Sequence, residues 1–119
     1  MTTSNANRRS DSTRDEPGRN RRRTDEERVD TIFRVLSDAR RRRVIRLLRA
    51  REGAVAVSAL AEALAAREPG DPEPERLVVS LQHVHLPKLE GAGVVDYTSD
   101  RSQVRYRDVA LVDRLLEQL

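Results

Sequence analysis

The sequence predicts a mainly helical domain that carries one small β-hairpin, an α+β fold. Over most of the chain, apolar residues recur at i, i+3, i+4 and i+7, the spacing of one helix face. Over residues 95–106 the period changes to two, as in paired strands. The length of 119 residues suits one small domain and is short for two.

The first part of the chain is predicted to be a tail. Residues 1–28 contain no Leu, Ile, Val or Phe, whereas residues 29–119 contain 29 of them. A segment without large apolar side chains cannot offset the entropy lost on ordering. We therefore expect a disordered, basic, Arg-rich tail over residues 1–23 and a folded domain over residues 24–119. The tail ends in three arginines that either contact phosphates or only solubilise the chain: Arg21, Arg22 and Arg23.

Charge and composition exclude several classes of protein. The tail has a net charge of +4, and the domain, with sixteen basic and seventeen acidic residues, has −1. There is no Cys for a disulfide, a thiolate metal site or a cysteine nucleophile. No apolar run approaches the ~18 residues of a membrane span, and no secretory signal is present. No Gly-rich phosphate loop or nucleophile–base pair indicates catalysis. We expect a cytoplasmic protein that is not an enzyme and uses no cofactor.

The first helix is predicted from a capping box. Thr24 and Glu27 have the Ser/Thr-x-x-Glu spacing in which each side chain bonds the other's backbone N–H. The apolar residues behind the box share one helix face, at Val29, Ile32, Phe33 and Leu36.

The second helix is predicted to begin at Ala39, with Ser37 or Asp38 as its cap. Its run of four arginines, residues 40–43, spans a whole turn, so these side chains cannot share one face. We expect some of them to pair with Asp38 or Glu27 on a solvated surface.

A helix-turn-helix is predicted next. A short strand over residues 55–57 leads to the cap Ser58 and a third helix over residues 59–67. An acidic, proline-rich turn over residues 68–75 separates it from a fourth helix that ends near Glu90. Within the fourth helix a kink or restart is expected at Pro87, because proline lacks the N–H and crowds the preceding turn.

The hairpin completes the predicted fold. Residues 95–97 and 104–106 alternate between apolar and polar around a turn at residues 98–102. Asp108 is the predicted cap of a last helix over residues 109–119. A helix-turn-helix followed by a hairpin is the element order of a winged helix-turn-helix.

Three segments resemble known regulators. Residues 36–48 look like the opening helix of ArsR-type winged helix-turn-helix repressors, and residues 89–95 resemble their junction between recognition helix and wing. Residues 80–95 more closely resemble a haloarchaeal domain family of unknown function, regarded as ArsR-like, with residues 83–90 the most specific part. The resemblance covers roughly residues 28–108. It implies an archaeal cytoplasmic transcription factor.

The expected partner is double-stranded DNA. On the solvent side of the fourth helix lie Arg76, Val79, Ser80, Gln82 and His83, and all but the valine are candidates for base contacts in the major groove. The candidate phosphate contacts are Lys88 and three wing residues, Arg101, Arg105 and Arg107. The wing arginines alternatively pair with Asp96 and Asp100 across the hairpin.

The two histidines do not predict a metal site. His83 and His85 are two positions apart, on opposite sides of a helix, whereas zinc pairs use i and i+4. His85 is expected in the core, hydrogen-bonded to backbone. His83 is expected at the surface, where it meets a base edge or a phosphate or has no specific role.

A homodimer is expected, because the last helix is apolar over much of its circumference. The candidate dimerisation residues come from the first and last helices: Val29, Ile32, Phe33, Leu111, Leu115, Leu116 and Leu119. The predicted function is a sequence-specific, DNA-binding transcriptional regulator. The alternative is a winged-helix protein–protein interaction module without DNA binding, which the acidic turn and the near-neutral domain favour.

Overall fold

The computed structural model describes the backbone over residues 17–119 and the side chains over residues 25–119. Helix α1 spans Pro17–Leu36, so the predicted capping box lies inside it and does not start it. Helix α1 therefore begins inside the predicted tail of residues 1–23, residues 1–16 lie outside the described part, and the disorder of the tail stays a prediction. Proline is favoured in a first helical turn and arginine is a good helix former, which explains the earlier start.

The elements after α1 follow the predicted order, and the mainly helical α+β, winged-helix-like fold is confirmed. The bounds are α2 Ala39–Arg49, β1 Val55–Ala56, α3 Val57–Ala65, α4 Pro74–Ser80, a π-helical turn Leu81–His85, α5 Leu86–Gly91, β2 Val95–Thr98, a 3-10 turn Ser99–Arg101, β3 Gln103–Tyr106 and α6 Ala110–Gln118. None of the described helices combines the length and the apolar character needed to cross a membrane.

Three antiparallel strands form one sheet in the order β1-β3-β2. Val95 lies opposite Tyr106 and Tyr97 opposite Val104, so the alternate apolar residues of the hairpin face the core together. The predicted short strand is the third member of this sheet, with Val55 opposite Val104.

The hydrophobic core lies within the unit that runs from Ile32 to the C-terminus. Every helix and strand of this unit contributes to it, and the most completely buried large side chains are Ile32, Ile45, Leu60, Leu64, Leu77, Leu81, Leu86 and Leu89. Four of these eight come from residues 77–89, so the inner side of the predicted recognition helix is a main component of the core.

Residues 74–91 form one helical run in which a π turn interrupts the α-helix, and the α-helix restarts at Leu86 with Pro87 in its first turn, so the restart predicted near this proline is present. The helix widens just before the proline, over Leu81–His85, where the N–H of Leu86 bonds the carbonyl of Leu81. A π turn pairs residues five apart and is wider than an α turn. The wider turn relieves the crowding that a proline causes in a regular α-helix.

Two predicted side-chain caps are wrong, and one is confirmed. Helix α3 begins directly after Ala56 without a side-chain bond, and Ser58 lies inside it. Helix α6 likewise follows Val109, because Asp108 has a φ of 56° and turns the chain instead of capping the helix. Asp38 does cap α2, since its Oδ1 accepts the N–H of Arg41 at 3.1 Å.

The arginine run of α2 pairs with the turn before α4, and its predicted partners were wrong. Arg40 donates two hydrogen bonds to the carboxylate of Glu68, at 2.6 and 2.7 Å, and Arg43 lies 3.5 Å from the same group. The Glu68 side chain is only 6% exposed, and the hydrogen bond from Arg40 holds its pKa below the ordinary range. Long-range pairing of this kind leaves no local sequence pattern.

The other two arginines of the run bind backbone. Arg41 Nε donates to the carbonyl of Val35 and Arg42 Nη1 to that of Leu36, each at 2.8 Å. Carbonyls at the end of a helix have no partner within it, so these guanidiniums close the end of α1.

We predict that Glu68→Gln lowers the free energy of unfolding by about 1–3 kcal/mol, because a buried two-bond ion pair is broken and Arg40 is left incompletely paired. Urea denaturation measures this. The matched control is Glu73→Gln, since Glu73 and Arg76 are 3.8 Å apart and mostly exposed; its effect is expected within about 0.5 kcal/mol. Equal losses in the two variants would contradict the structural role of Glu68.

Candidate nucleic-acid interface

The helical run of residues 74–91 has one side in the core and one side in solvent. Leu77, Leu81 and His85 are on the buried side. The exposed side carries charged groups of both signs as well as imidazole and apolar groups, namely Glu75, Arg76, Val79, His83, Val84, Pro87, Lys88 and Glu90. The π turn lies in the middle of this exposed surface.

The four predicted base-contacting residues do not share one face. Arg76 and His83 are exposed, and Gln82 is half-buried. Ser80 is also half-buried, and its hydroxyl accepts a hydrogen bond from Arg40 Nη1 at 3.2 Å. Ser80 is therefore directed towards α2, whereas Arg76 and His83 are on the outer side with Val79, which was predicted to face solvent, and Val84, which was not.

Two of the three wing arginines have one of the alternative partners predicted for them, Asp96. Arg105 Nη2 lies 2.6 Å from Asp96 Oδ2, and Arg107 Nε lies 3.7 Å from the other carboxylate oxygen. All three side chains are about half exposed. Arg101 is exposed in the 3-10 turn at the tip of the hairpin.

A side-chain contact joins the wing to the helix before it. Glu90 Oε2 accepts the backbone N–H of Tyr97 at 3.2 Å. Tyr97 is on the outer strand β2, whose backbone groups on that edge have no neighbouring strand. This bond fixes one edge of the hairpin against the end of α5.

The base of the wing is held from the other side by α6. The Tyr106 hydroxyl donates to Asp113 at 2.8 Å and accepts the N–H of Val109 at 3.2 Å. Arg49 lies 3.1 Å from the same carboxylate. Burial and the hydrogen bond to Asp113 raise the pKa of Tyr106, so the hydroxyl keeps its proton. No local pattern in the sequence indicated this network.

The predicted dimerisation residues separate into three groups. Ile32 and Leu116 are 1% and 4% exposed within the chain's own core, so they offer no surface to a second subunit. Leu111 and Leu115 are half-buried against that core. The exposed members are Val29, Phe33 and Leu119.

The predicted tail contacts are described only by their backbone. Residues 21–23 are in α1, and the side chains of Arg21, Arg22 and Arg23 lie outside the described part of the structure.

His85 is buried, as predicted, but the expected hydrogen bond to backbone is not formed at Nδ1, which has no partner among the described residues. Burial lowers the pKa of His85 below its ordinary value of 6.5. The charges of Asp38 and Glu68 oppose this shift, and those of Arg41 and Arg40 reinforce it. His85 is therefore neutral near pH 7.

The arrangement does not form a metal site within the described residues. His83 is exposed and His85 is buried, so the two rings are on different sides of the helix. Over residues 25–119 no three His, Asp or Glu side chains form a group that suits a metal ion.

One family matches the chain, over residues 33–105, and its description is "Domain of unknown function (DUF7344)". The match covers more than half of the chain and spans α2, the predicted helix-turn-helix and most of the wing. No curated protein and no solved structure matches the chain. The description of this family does not mention ArsR-type repressors, so the resemblance to them stays a prediction.

We predict that the free energy of unfolding falls as the pH drops below about 6.5, because the unfolded chain takes up a proton that buried His85 resists. Asp38 and Glu68, whose pKa values are lowered, lose their stabilisation only at lower pH, around 4. Denaturation at a series of pH values measures both ranges.

In His85→Leu the loss that begins below about pH 6.5 should disappear, while the acidic loss remains. The control is His83→Gln on the exposed side of the same helix, which should leave the upper range unchanged. If His85→Leu keeps the full pH dependence, His85 is not its source.

Proposed function

The chain belongs to the family described as Domain of unknown function (DUF7344), and we propose that it is a sequence-specific, DNA-binding transcriptional regulator of the winged-helix type, similar to ArsR-type repressors. The observation that carries this proposal is the helical run of residues 74–91. Its inner side is anchored in the core, and its outer side presents Arg76, His83 and Lys88 to solvent, together with the carboxylates of Glu75 and Glu90 near its two ends. A helix held in this way can enter a major groove without unfolding.

The acidic turn before this helix repels DNA less than its composition indicates. Glu68, its most buried carboxylate, is neutralised by Arg40 and Arg43. Glu73 lies near Arg76. Two of the turn's carboxylates are therefore balanced by cations, which reduces the repulsion that a phosphate backbone would meet there.

The wing supplies the second half of the proposed interface. Arg105 and Arg107 are held by Asp96, but the pairs are about half exposed and therefore weak. A DNA phosphate has the same charge as the carboxylate and accepts the same guanidinium hydrogen bonds. We propose that phosphates replace Asp96 as the partner of these two arginines.

We also propose a homodimer in the cytoplasm. Phe33 and Leu119 are 53% and 68% exposed, and large apolar groups in solvent favour association. A two-fold dimer would place two recognition helices on two half-sites of a palindromic operator.

A second candidate function is a winged-helix module that binds a protein and not DNA. The observation that favours it is that Asp96 already occupies Arg105 and Arg107, which leaves the wing with little free positive charge. The two functions differ in how the removal of Asp96 changes binding to duplex DNA.

We predict that Asp96→Asn strengthens binding to all duplexes, because it frees two guanidiniums for phosphates. Arg105→Ala with Arg107→Ala should weaken binding to all duplexes and reduce the slope of log K against log salt by about 2. Gln82→Ala should weaken binding to some sequences more than others. Fluorescence anisotropy with labelled duplexes over a range of salt concentrations measures all three variants.

Glu117→Gln is the control for net charge, because it removes the same charge from α6, and it should change affinity less than Asp96→Asn. If neither Asp96→Asn nor the double arginine variant alters binding, the wing is not in the interface. If the wild-type chain retains no duplex even at low salt, the DNA-binding function is excluded and the protein-binding module becomes the proposal.

We predict that the wild-type chain sediments as a dimer and that Phe33→Asp sediments as a monomer, because a buried carboxylate at the interface costs more than the lost apolar contact. Sedimentation equilibrium measures the mass. Ser37→Asp adds the same charge at an exposed position nearby and should leave the dimer intact. A wild-type chain that stays monomeric at every concentration would refute the dimer.

A further inference from the structure

Two exposed valines on the predicted recognition helix have no evident structural role. Val79 is 56% exposed and Val84 is 42% exposed. A β-branched side chain loses rotamer freedom in a helix and is a weaker helix former than alanine. Burial normally offsets this loss, but more than half of Val79 and about two fifths of Val84 are in solvent.

The π turn brings the two valines closer to one side. In a regular α-helix, residues five apart point in clearly different directions. The turn Leu81–His85 lies between Val79 and Val84, and a π turn contains more residues per revolution. Val84 is therefore rotated towards the side on which Val79 and His83 are exposed.

The neighbours of the valines are polar. Arg76, His83 and Lys88 are exposed on the same helical run, as is the carboxylate of Glu75, and the exposed apolar side chains of the run are the two valines and two prolines, all of them small. Protein interfaces depend mainly on buried Trp, Tyr and Arg, and valine is under-represented among their energetically dominant residues. Two valines among charged and polar groups fit a ligand whose apolar groups are small and separated by polar ones.

We propose that Val79 and Val84 are specificity-determining residues that contact the 5-methyl groups of thymine in the major groove. This inference rests on the proposed DNA-binding function. Each base pair presents hydrogen-bonding groups in that groove, and thymine alone adds a methyl group. A valine against cytosine would instead cover the N4 amino donor without offering an acceptor, which is unfavourable.

The proposal defines the kind of operator. In this operator, thymines lie opposite the two valines at separate positions of a half-site. Arg76 and Lys88, on the same helical run as the valines, contact guanine or phosphate. Specificity at these positions then comes from apolar contact, and it is independent of the hydrogen bonds assigned to Gln82.

The test uses the full chain and a duplex selected by that chain from a random pool. Each thymine of the selected site is replaced in turn by deoxyuridine, which removes only the 5-methyl group. Binding of wild type, Val79→Ala and Val84→Ala is measured by fluorescence anisotropy. For wild type we expect affinity to fall about threefold to fivefold at two or more thymines, the effect of one methyl group removed from an apolar contact.

In each alanine variant, discrimination between thymine and deoxyuridine should disappear at one position and persist at the others. Val29→Ala is the matched control, an exposed helical valine on α1. If Val29→Ala alters subunit pairing, it changes the affinity for the thymine duplex and for the deoxyuridine duplex alike. The ratio of the two affinities then stays unchanged. Urea denaturation of Val79→Ala should show equal or higher stability, because alanine is the better helix former.

The outcomes separate this inference from the proposed function. A selected sequence whose deoxyuridine forms bind as tightly as the parent would overturn the thymine contacts and leave DNA binding intact. An alanine variant that retains discrimination at every thymine would overturn the assignment to that valine. Failure to select any sequence would overturn the sequence-specific function and this inference with it.

Discussion

One guanidinium holds the helix-turn-helix together. Arg40 on α2 donates two hydrogen bonds to Glu68 in the turn and a third to Ser80 on α4. The planar fork of arginine fits a carboxylate with two parallel bonds, which a lysine cannot do. The turn between α3 and α4 is long and rich in proline, and Glu68 is its most buried carboxylate, so this ion pair fixes the turn against α2. The orientation of residues 74–91, and hence of every proposed base contact, depends on the buried side of that helix together with this side chain.

The π turn Leu81–His85 affects which residues of that helix face the core and which face solvent. With it, His85 follows Leu81 into the core, and Leu86 and Leu89 continue the buried side. The same turn brings His83 and Val84 to the outer surface. The unpaired Nδ1 of His85 costs stability. That cost accompanies a widened turn, a feature that often occurs at functional sites in helices.

Features that depend on local periodicity could be predicted from the sequence, and features that depend on distant partners could not. The register of Val95 with Tyr106 follows from a period of two, which needs no knowledge of the rest of the chain. The pairing of Arg40 with Glu68, 28 positions away, leaves no such pattern. Capping failed for a related reason: Ser58 and Asp108 have the right chemistry, but the sheet fixes where the adjacent helices begin. At the candidate site, the exposed positions Arg76 and His83 were predictable from helical geometry, whereas the direction of Ser80 depended on its tertiary partner.

The wing shows how charge and specificity are balanced in the proposed complex. Asp96 holds the guanidiniums of Arg105 and Arg107 on the hairpin while it offsets part of their charge. A domain with a net charge near zero gains little affinity from the release of counterions. Binding to arbitrary DNA would then be weak, and phosphates would have to compete with a carboxylate already in place. Under that constraint a tight complex requires contacts to the bases, so the side chains on the outer side of residues 74–91 would determine which sequences are bound.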